Sequence, residues 1–309
     1  MPDTPVQTIR KAQPMNLFVF GLGYSALEFI NQHRNEFVSI AGTVRDEKKA
    51  QELADQDIQA IAWDGASFSD ALARMISETD ELIISVPPDR DGDRIVRYFH
   101  ETIVKAPLLR TIVYLSTIGV YGDHDGEWVN EETVPSPANP RSQHRLRAEN
   151  DWIALARAKG VSLHILRLAG IYGPGRNALE TLRKGTAKRI VKPGQVFNRI
   201  HVSDIARSIT ACLDFPEAGS VHVWNVCDDK PTPPQDLIVH AATLLAMRPP
   251  PETDFANADM SDMARSFYSE NKRVSNDRLK SELGVRLAYP TYREGLRALA
   301  ATLLPVDTE

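Results

Sequence analysis

The sequence predicts an α/β protein, a doubly wound parallel sheet followed by a smaller, mostly helical C-terminal lobe. Three observations carry that expectation. The first half alternates short apolar runs with helical patterns, as βαβ units do. Those runs are rich in Val, Ile and Leu with little polar alternation, which suits strands covered on both faces. A Gly-x-Gly turn follows directly on the first of them.

The strands read as Asn16 to Phe20, Val38 to Thr43, Gln59 to Ala62, Glu81 to Val86, Thr111 to Leu115, Ser162 to Leu166 and Val221 to Val226. A helix after the fifth strand sets Ala148, Trp152, Leu155 and Ala156 on one face and stops at Lys159-Gly160, a good C-terminal signal. Beyond Tyr172 the pattern loosens, with Pro174, Gly175, Pro193 and Gly194 marking loops. A helix with Ile205, Ile209, Cys212 and Leu213 on one face restores order, and Tyr292, Leu296, Leu299 and Leu303 close the chain at helical spacing. The expected organisation is a flexible leader over residues 1–14, a dinucleotide-binding domain over 15–176, an insertion of the substrate lobe at 177–196, a return to the first domain over 197–228 and a C-terminal substrate lobe over 229–309. A chain of 309 residues suits about two domains of roughly 150 residues.

Composition narrows the function classes. With 42% hydrophobic and 25% charged residues the chain reads as an ordinary soluble globular protein. A net charge of -5, with basic residues scattered among acids, argues against nucleic acid or an anionic membrane surface as partner. Two cysteines, Cys212 and Cys227, make no disulfide framework, and the eight histidines show no metal-ligand spacing with acids. Without a long apolar span or a signal-peptide core, the expected location is the cytoplasm, as a monomer or homodimer acting on a small molecule.

The turn itself is Gly21-Leu22-Gly23-Tyr24-Ser25-Ala26, a Gly-x-Gly-x-x-Ala sequence between a strand and an amphipathic helix. This is the dinucleotide fingerprint of a Rossmann-type fold, with Ala26 in the third glycine's place. Gly21 permits the tight turn, Gly23 lets the backbone approach a pyrophosphate, and the helix start at Tyr24 and Ser25 offers N–H groups to it. Where a carboxylate would bind the ribose of NAD, the second strand ends in Thr43-Val44-Arg45. Arg45 suits the 2'-phosphate of NADP, so NADP is the expected cofactor, with NAD as the alternative. A solvated Arg45 paired with Asp46 or Glu47 is the plainer reading. Ser85 and Val86 end the fourth strand, where backbone passes such a cofactor.

The fifth strand leads into Ser116-Thr117 and Val120-Tyr121-Gly122, and the following helix carries Arg141-Ser142-Gln143-His144-Arg145-Leu146-Arg147-Ala148-Glu149. With Arg167 to Gly175, Arg199 to Ile205 and Asn225-Val226, this arrangement resembles the extended short-chain dehydrogenase/reductase family, the NAD-dependent epimerase/dehydratase-like branch. The segment Gly122 to Glu131 is similar to an atypical, nucleoside-diphosphate-sugar-epimerase-like subgroup. The resemblance implies that Thr117 hydrogen-bonds the substrate oxygen and that Asp64 contacts adenine, although Asp64 equally suits a turn. It also implies a Tyr-x-x-x-Lys pair, and here Arg141 occupies the tyrosine position and Arg145 the lysine position. Arg145 can hold a ribose as lysine does, but arginine stays charged and cannot exchange a proton as tyrosine does.

Another group must then move the proton. His144 is the first candidate, ahead of Tyr121, His124, Asp125 and Glu127. Arg141 and Arg145 either clamp a substrate anion or pair with Glu127, Glu131 or Glu149. A formal Tyr-x-x-x-Lys at Tyr268 to Lys272 reads as coincidence. Two function classes stand side by side: a nicotinamide-dependent oxidoreductase or epimerase acting on a polar, anionic small molecule, and a non-catalytic NADP(H)-binding redox sensor.

Overall fold

The computed structural model describes residues 15–303, so the leader expected over residues 1–14 lies outside the described residues. In chain order the first half runs β1 (Met15–Phe20), α1 (Tyr24–His33), β2 (Phe37–Val44), α2 (Glu47–Ala54), β3 (Gln59–Ala62), α3 (Asp70–Ser77), β4 (Glu81–Ile84), α4 (Arg94–Lys105) and β5 (Thr111–Thr117). Next come β6 (Trp128–Val129), α5 (Pro140–Lys159), β7 (Ser162–Leu168), β8 (Gly170–Tyr172), α6 (Ala178–Arg183), β9 (Arg189–Val191), β10 (Arg199–His201), α7 (Val202–Leu213) and β11 (Val221–Val226). The last stretch holds α8 (Pro234–Leu244), β12 (Glu252–Asp254), α9 (Asp262–Phe267), β13 (Arg273–Val274), α10 (Asp277–Ser281) and α11 (Tyr292–Leu303).

Seven strands form one parallel sheet in the order β11-β7-β5-β4-β1-β2-β3. This is the Rossmann-type architecture, and each of its strands overlaps an apolar run that the sequence marks. Where β4 was expected to reach Val86 it ends at Ile84, before Pro87-Pro88. The pairing of Leu17 with Ile40 and Glu81 places β1 between β2 and β4. Its alternate residues therefore face opposite layers, and both sets are buried. The chain divides into two compact units, one made of residues up to Leu115 with Arg147–Ile165 and Ala206–Val223, the other of Ser116–Leu146, Leu166–Ile205 and residues from Trp224 onward.

In the first unit, Phe18, Phe20, Leu82, Ile84, Phe99, Ile112 and Tyr114 pack with Trp152 and Leu155 of α5. The Phe20 ring lies 5.0 Å from Phe18, 5.7 Å from Trp63 and 5.6 Å from Phe99. Truncating such a ring to alanine costs about 3 to 5 kcal/mol. One buried carboxylate also ties two helices together. Asp93 caps α4 by accepting the Ile95 N–H at 2.8 Å, and its other oxygen accepts the Trp152 indole N–H at 3.0 Å.

The second unit is not a sheet domain. Tyr172, Leu179 and Leu182 pack with Ala241, Ala242, Leu296 and Leu299 of α8 and α11. Gly295 in α11 is where the Tyr172 hydroxyl lies, and a methyl there would collide with it. Three short parallel pairs, β6 with β13, β8 with β10 and β9 with β12, stitch distant segments. Asp204, fully buried, accepts the Ala288 N–H at 2.6 Å and the Tyr289 N–H at 3.1 Å. His201 packs edge-on against Tyr172 at 5.1 Å and its Nδ1 accepts the Ser203 N–H, so it secures the start of α7.

Cys212 and Cys227 are both free and buried, and burial pushes both thiols well above their ordinary range. Among the described residues no helix is long and apolar enough to cross a membrane.

Towards the β11 edge of the sheet, the His164 ring stacks on His222 at 5.5 Å with Phe215 edge-on at 5.4 Å. Burial, and then the neighbouring imidazole, lower the pKa of His164 to about 3. The unfolded chain takes up that proton near 6.5, so the stability held by neutral His164 is complete above that pH and is lost as pH falls toward 3. The unfolding free energy from urea titrations should therefore drop by about 2 to 3 kcal/mol between pH 6.5 and about pH 4.5, and His164→Phe should flatten this limb; an unchanged slope in the variant would show that other groups set it.

Candidate functional site

The turn between β1 and α1 is held by its neighbours rather than by its own side chains. Thr43 at the end of β2 accepts the Gly21 N–H on Oγ1 at 2.9 Å and the Leu22 N–H on its carbonyl at 2.8 Å. Gly21 adopts φ +91, and a methyl on it would stand 2.9 Å from Val86 Cγ2. A methyl on Gly23 would meet only the Gly21 carbonyl at 3.9 Å, so its outer side is open. No side chain caps α1, while Ser25 and Ala26 are buried and Tyr24 is exposed. An uncapped helix start behind a bare glycine backbone is the cradle that a pyrophosphate requires, so these residues fit a dinucleotide.

The specificity candidates lie on the same unit. Arg45 is exposed, and among the described residues it forms no ion pair with Asp46 or Glu47. Asp46 instead caps α2 through the Lys49 N–H at 2.9 Å. Arg45 is thus solvated, as the plainer reading has it, while neither acid holds its guanidinium among the described residues. Asp64 is exposed and accepts the Ala66 N–H on Oδ1 at 2.8 Å, the bonding of a turn residue. Ser85, whose N–H reaches the Phe20 carbonyl at 2.8 Å, and Val86 sit half-buried beyond β4.

In the second unit, Thr117 ends β5 and its Oγ1 accepts the Gly119 N–H at 3.1 Å. That bond uses the hydroxyl as acceptor and leaves its proton to donate. Asn139 caps α5, taking the Ser142 N–H at 2.8 Å with Pro140 next to it, and its amide donates to Glu270 at 2.8 Å. The helix start is therefore fixed in rotation. Arg141 is exposed without an ion pair among the described residues, and His144 and Arg145 are half-buried.

The residue that α5 turns inward is Ser142, 5% exposed. A methyl on Gly119 would stand 2.7 Å from Ser142 Oγ and 3.4 Å from Thr117 Oγ1, so the two hydroxyls flank one point above the turn. Sequence reasoning that counted back from Ala148-Glu149 to the tyrosine position passed over this serine. Its signal was helical phase: Ser142 lies two turns before Glu149, which is itself buried.

Of the other proton candidates, Tyr121 and His124 have structural duties, His124 through its ring nitrogen Nε2 at 3.1 Å from the Tyr121 carbonyl. Tyr121 is buried and donates its hydroxyl to Asn225 Oδ1 at 2.7 Å, with the Arg167 guanidinium 4.8 Å above its ring. Burial raises its phenol pKa further. The His124 and Gly126 N–H groups bond to the Asn271 carbonyl, and Asp123 takes the Asn271 N–H at 2.6 Å, so this loop is sewn to the approach to β13. Glu131, whose pKa burial raises, accepts the Asn225 N–H at 2.7 Å and is not the partner of Arg141. Lys272 is buried in an ion pair with Glu270 at 2.7 Å, and Tyr268 caps the end of α9, so this formal Tyr-x-x-x-Lys does not share a helix.

Gly21→Ala combines a strained φ with a contact on Val86 and should destabilise the chain by about 1 to 3 kcal/mol. Gly23→Ala should leave the thermal midpoint unchanged while weakening nicotinamide-dinucleotide binding. Equal midpoint losses in calorimetry for the two variants would contradict the assignment of Gly21 to the turn and Gly23 to the ligand.

Residues 92–227 match the family described as "NAD dependent epimerase/dehydratase family". A conserved protein of Silicibacter pomeroyi DSS of solved structure is 43% identical, with a TM-score of 0.83 over 94% of this chain and 100% of that one. Protein YeeZ of Escherichia coli strain K12 is 29% identical over 220 residues, 70% of this chain and 73% of its own. A "3-diazoavenalumate denitrifying reductase" of Streptomyces sp is 28% identical over 162 residues, 49% of this chain and 51% of its own. With its seven-stranded Rossmann sheet, its bare glycine turn and these relatives, the chain belongs to the NAD dependent epimerase/dehydratase family.

Proposed function

We propose that the protein is a nicotinamide-dinucleotide-dependent oxidoreductase or epimerase-type enzyme, that it prefers NADP(H), and that its substrate is a polar, anionic small molecule. The observation that carries this reading is the pair of hydroxyls, Thr117 and Ser142, held about one point over Gly119. Bound nicotinamide supplies a hydride donor or acceptor; the chain's own groups then have only to bind, orient and manage one proton. Thr117, with its acceptor side already used by Gly119, donates to the substrate oxygen. Ser142 can both accept and donate, so it can relay a proton to or from that oxygen. Arg141, exposed and without an ion pair among the described residues, suits a substrate carboxylate or phosphate, and Arg145 takes the lysine's place at the ribose. The reductase among the relatives is consistent with redox chemistry.

A second reading, the non-catalytic NADP(H) sensor, is favoured by one observation. Neither Arg141 nor the buried Tyr121 can exchange a proton near neutral pH. Turnover separates the two readings. NADPH consumption over a panel of polar carbonyl and sugar-phosphate compounds is expected, with Ser142→Ala and Thr117→Val lowering kcat without changing the Kd for NADPH. Tight NADPH binding with no consumption across the panel would favour the sensor.

Cofactor preference rests on Arg45. A charge-assisted bond to the 2'-phosphate is worth about 1.5 to 3 kcal/mol, so Arg45→Ala should weaken NADPH roughly ten- to hundredfold and leave NADH within about twofold. Equal losses for both nucleotides in fluorescence titrations would remove Arg45 from the specificity role.

A further inference from the structure

Within the second unit, Glu270, Asn271 and Lys272 lie just before β13 and are tied down residue by residue. Gln195 Nε2 donates to the Glu270 carbonyl at 2.8 Å, Asp123 takes the Asn271 N–H at 2.6 Å, and Asn198 Nδ2 donates to the Lys272 carbonyl at 2.9 Å. A backbone held at three successive residues gives the side chains it carries fixed origins.

Two of those side chains form a buried ion pair. Lys272 is 5% exposed, and its Nζ lies 2.7 Å from Glu270 Oε2. Such a pair adds little net stability, because the desolvation of two charges offsets most of their attraction. Its reach is what sets it apart. Lys272 Nζ also donates to the Gly122 carbonyl, and Glu270 Oε1 accepts the Asn139 amide at 2.8 Å.

These two outer partners belong to the two segments that supply the hydroxyl pair. Gly122 closes the turn that begins at Thr117: its N–H reaches the Gly119 carbonyl at 3.2 Å, and the Gly119 N–H reaches Thr117 Oγ1 at 3.1 Å. Gly122 holds φ +77, and a methyl on it would collide with the Ser136 carbonyl, so it has little room to shift. Asn139 caps α5 and takes the Ser142 N–H at 2.8 Å. One ion pair therefore joins the backbone that carries Thr117 to the helix start that carries Ser142, with a hydrogen bond or charge contact at every link. Slack at any link moves one hydroxyl against the other, and a misplacement of about 1 Å can cost about a hundredfold in rate.

We propose that Lys272 and Glu270 are positioning residues, a brace from the C-terminal segment that sets the separation of the Thr117 and Ser142 hydroxyls. Its effect on turnover rests on the enzyme reading given above. The brace itself is a property of the folded chain and can be read without turnover.

Glu270→Gln combined with Lys272→Met leaves no lone buried charge, keeps an acceptor for Asn139 and cuts the arm to Gly122. Amide hydrogen exchange of the full chain, followed by NMR, should then quicken about tenfold at Gly119 and Gly122 and stay slow at Ser142. Glu270→Leu combined with Lys272→Met cuts both arms, and Ser142 should quicken as well. The Ala288 and Tyr289 amides, bound to Asp204, report on the rest of the unit and should not change. With a substrate found in the NADPH-consumption panel, the first double variant should lower kcat about ten- to hundredfold at an unchanged Kd for NADPH. Most of that loss should vanish when Ser142 is already alanine, as it does for residues that act through one another. Unchanged exchange at Gly122, quickening shared by Ala288 and Tyr289, or a kcat loss that simply adds to that of Ser142→Ala would each overturn the brace. A wild-type chain that consumes no NADPH with any compound would sink the enzyme reading alone, and the exchange pattern would still decide the brace.

Discussion

Burying a parallel sheet on both faces leaves its strands nowhere to meet a ligand except at their ends. That constraint organises the N-terminal half of the molecule. β1 ends at the Gly21 turn, β2 at Arg45, β3 at Asp64, β4 at Ser85-Val86 and β5 at Thr117. The strand interiors carry Leu17, Phe18, Val19, Ile83 and Val113, all fully or nearly fully buried. Register fixes which end is which: Val19 opposite Gly42 and Ile83 sets the three neighbouring strands level, so their turns open together. Close approach adds a second demand, since a side chain on Gly42 would strike the Val19 carbonyl and Leu22.

With Arg141 and Arg145 taken at the tyrosine and lysine positions, where the family resemblance puts them, the chemistry changes less evenly than the sequence alone conveys. A guanidinium keeps a lysine's charge, so the electrostatic half of the pair survives. The proton half does not survive at Arg141, and the helix that carries it turns that residue to solvent. What faces the Thr117 turn is a serine, whose hydroxyl relays protons but does not source them. The cap formed by Asn139 and its bond to Glu270 fix this phase, so the identity of the inward residue is decided outside the helix.

Much of the fold was legible because its signals are local. The seven strands of the sheet are apolar runs punctuated by turn residues, and the Gly-x-Gly turn announces itself by position. The Asp64 turn was also readable from neighbouring residues. What was not legible depended on partners far away in sequence. β6 looks like loop until Arg273 pairs with Trp128, and Tyr121 looks like a loop tyrosine until Asn225 takes its hydroxyl. Ser142 was missed for a different reason. A family motif directs the eye to the motif's own positions, and the buried neighbour one residue on carries no such flag. Asp93 shows the same limit, since its indole partner lies 59 residues away.

The two cysteines fall one in each compact unit, Cys212 in the first and Cys227 in the second. Neither thiol forms a thiolate readily while buried, so alkylating reagents reach them only when the surrounding structure opens. Cys212 opens with α7, and Cys227 with the strand end where its sulfur bonds the Val274 carbonyl. The wild-type chain thus carries two built-in chemical clocks, and the ratio of their labelling rates measures how independently its halves breathe.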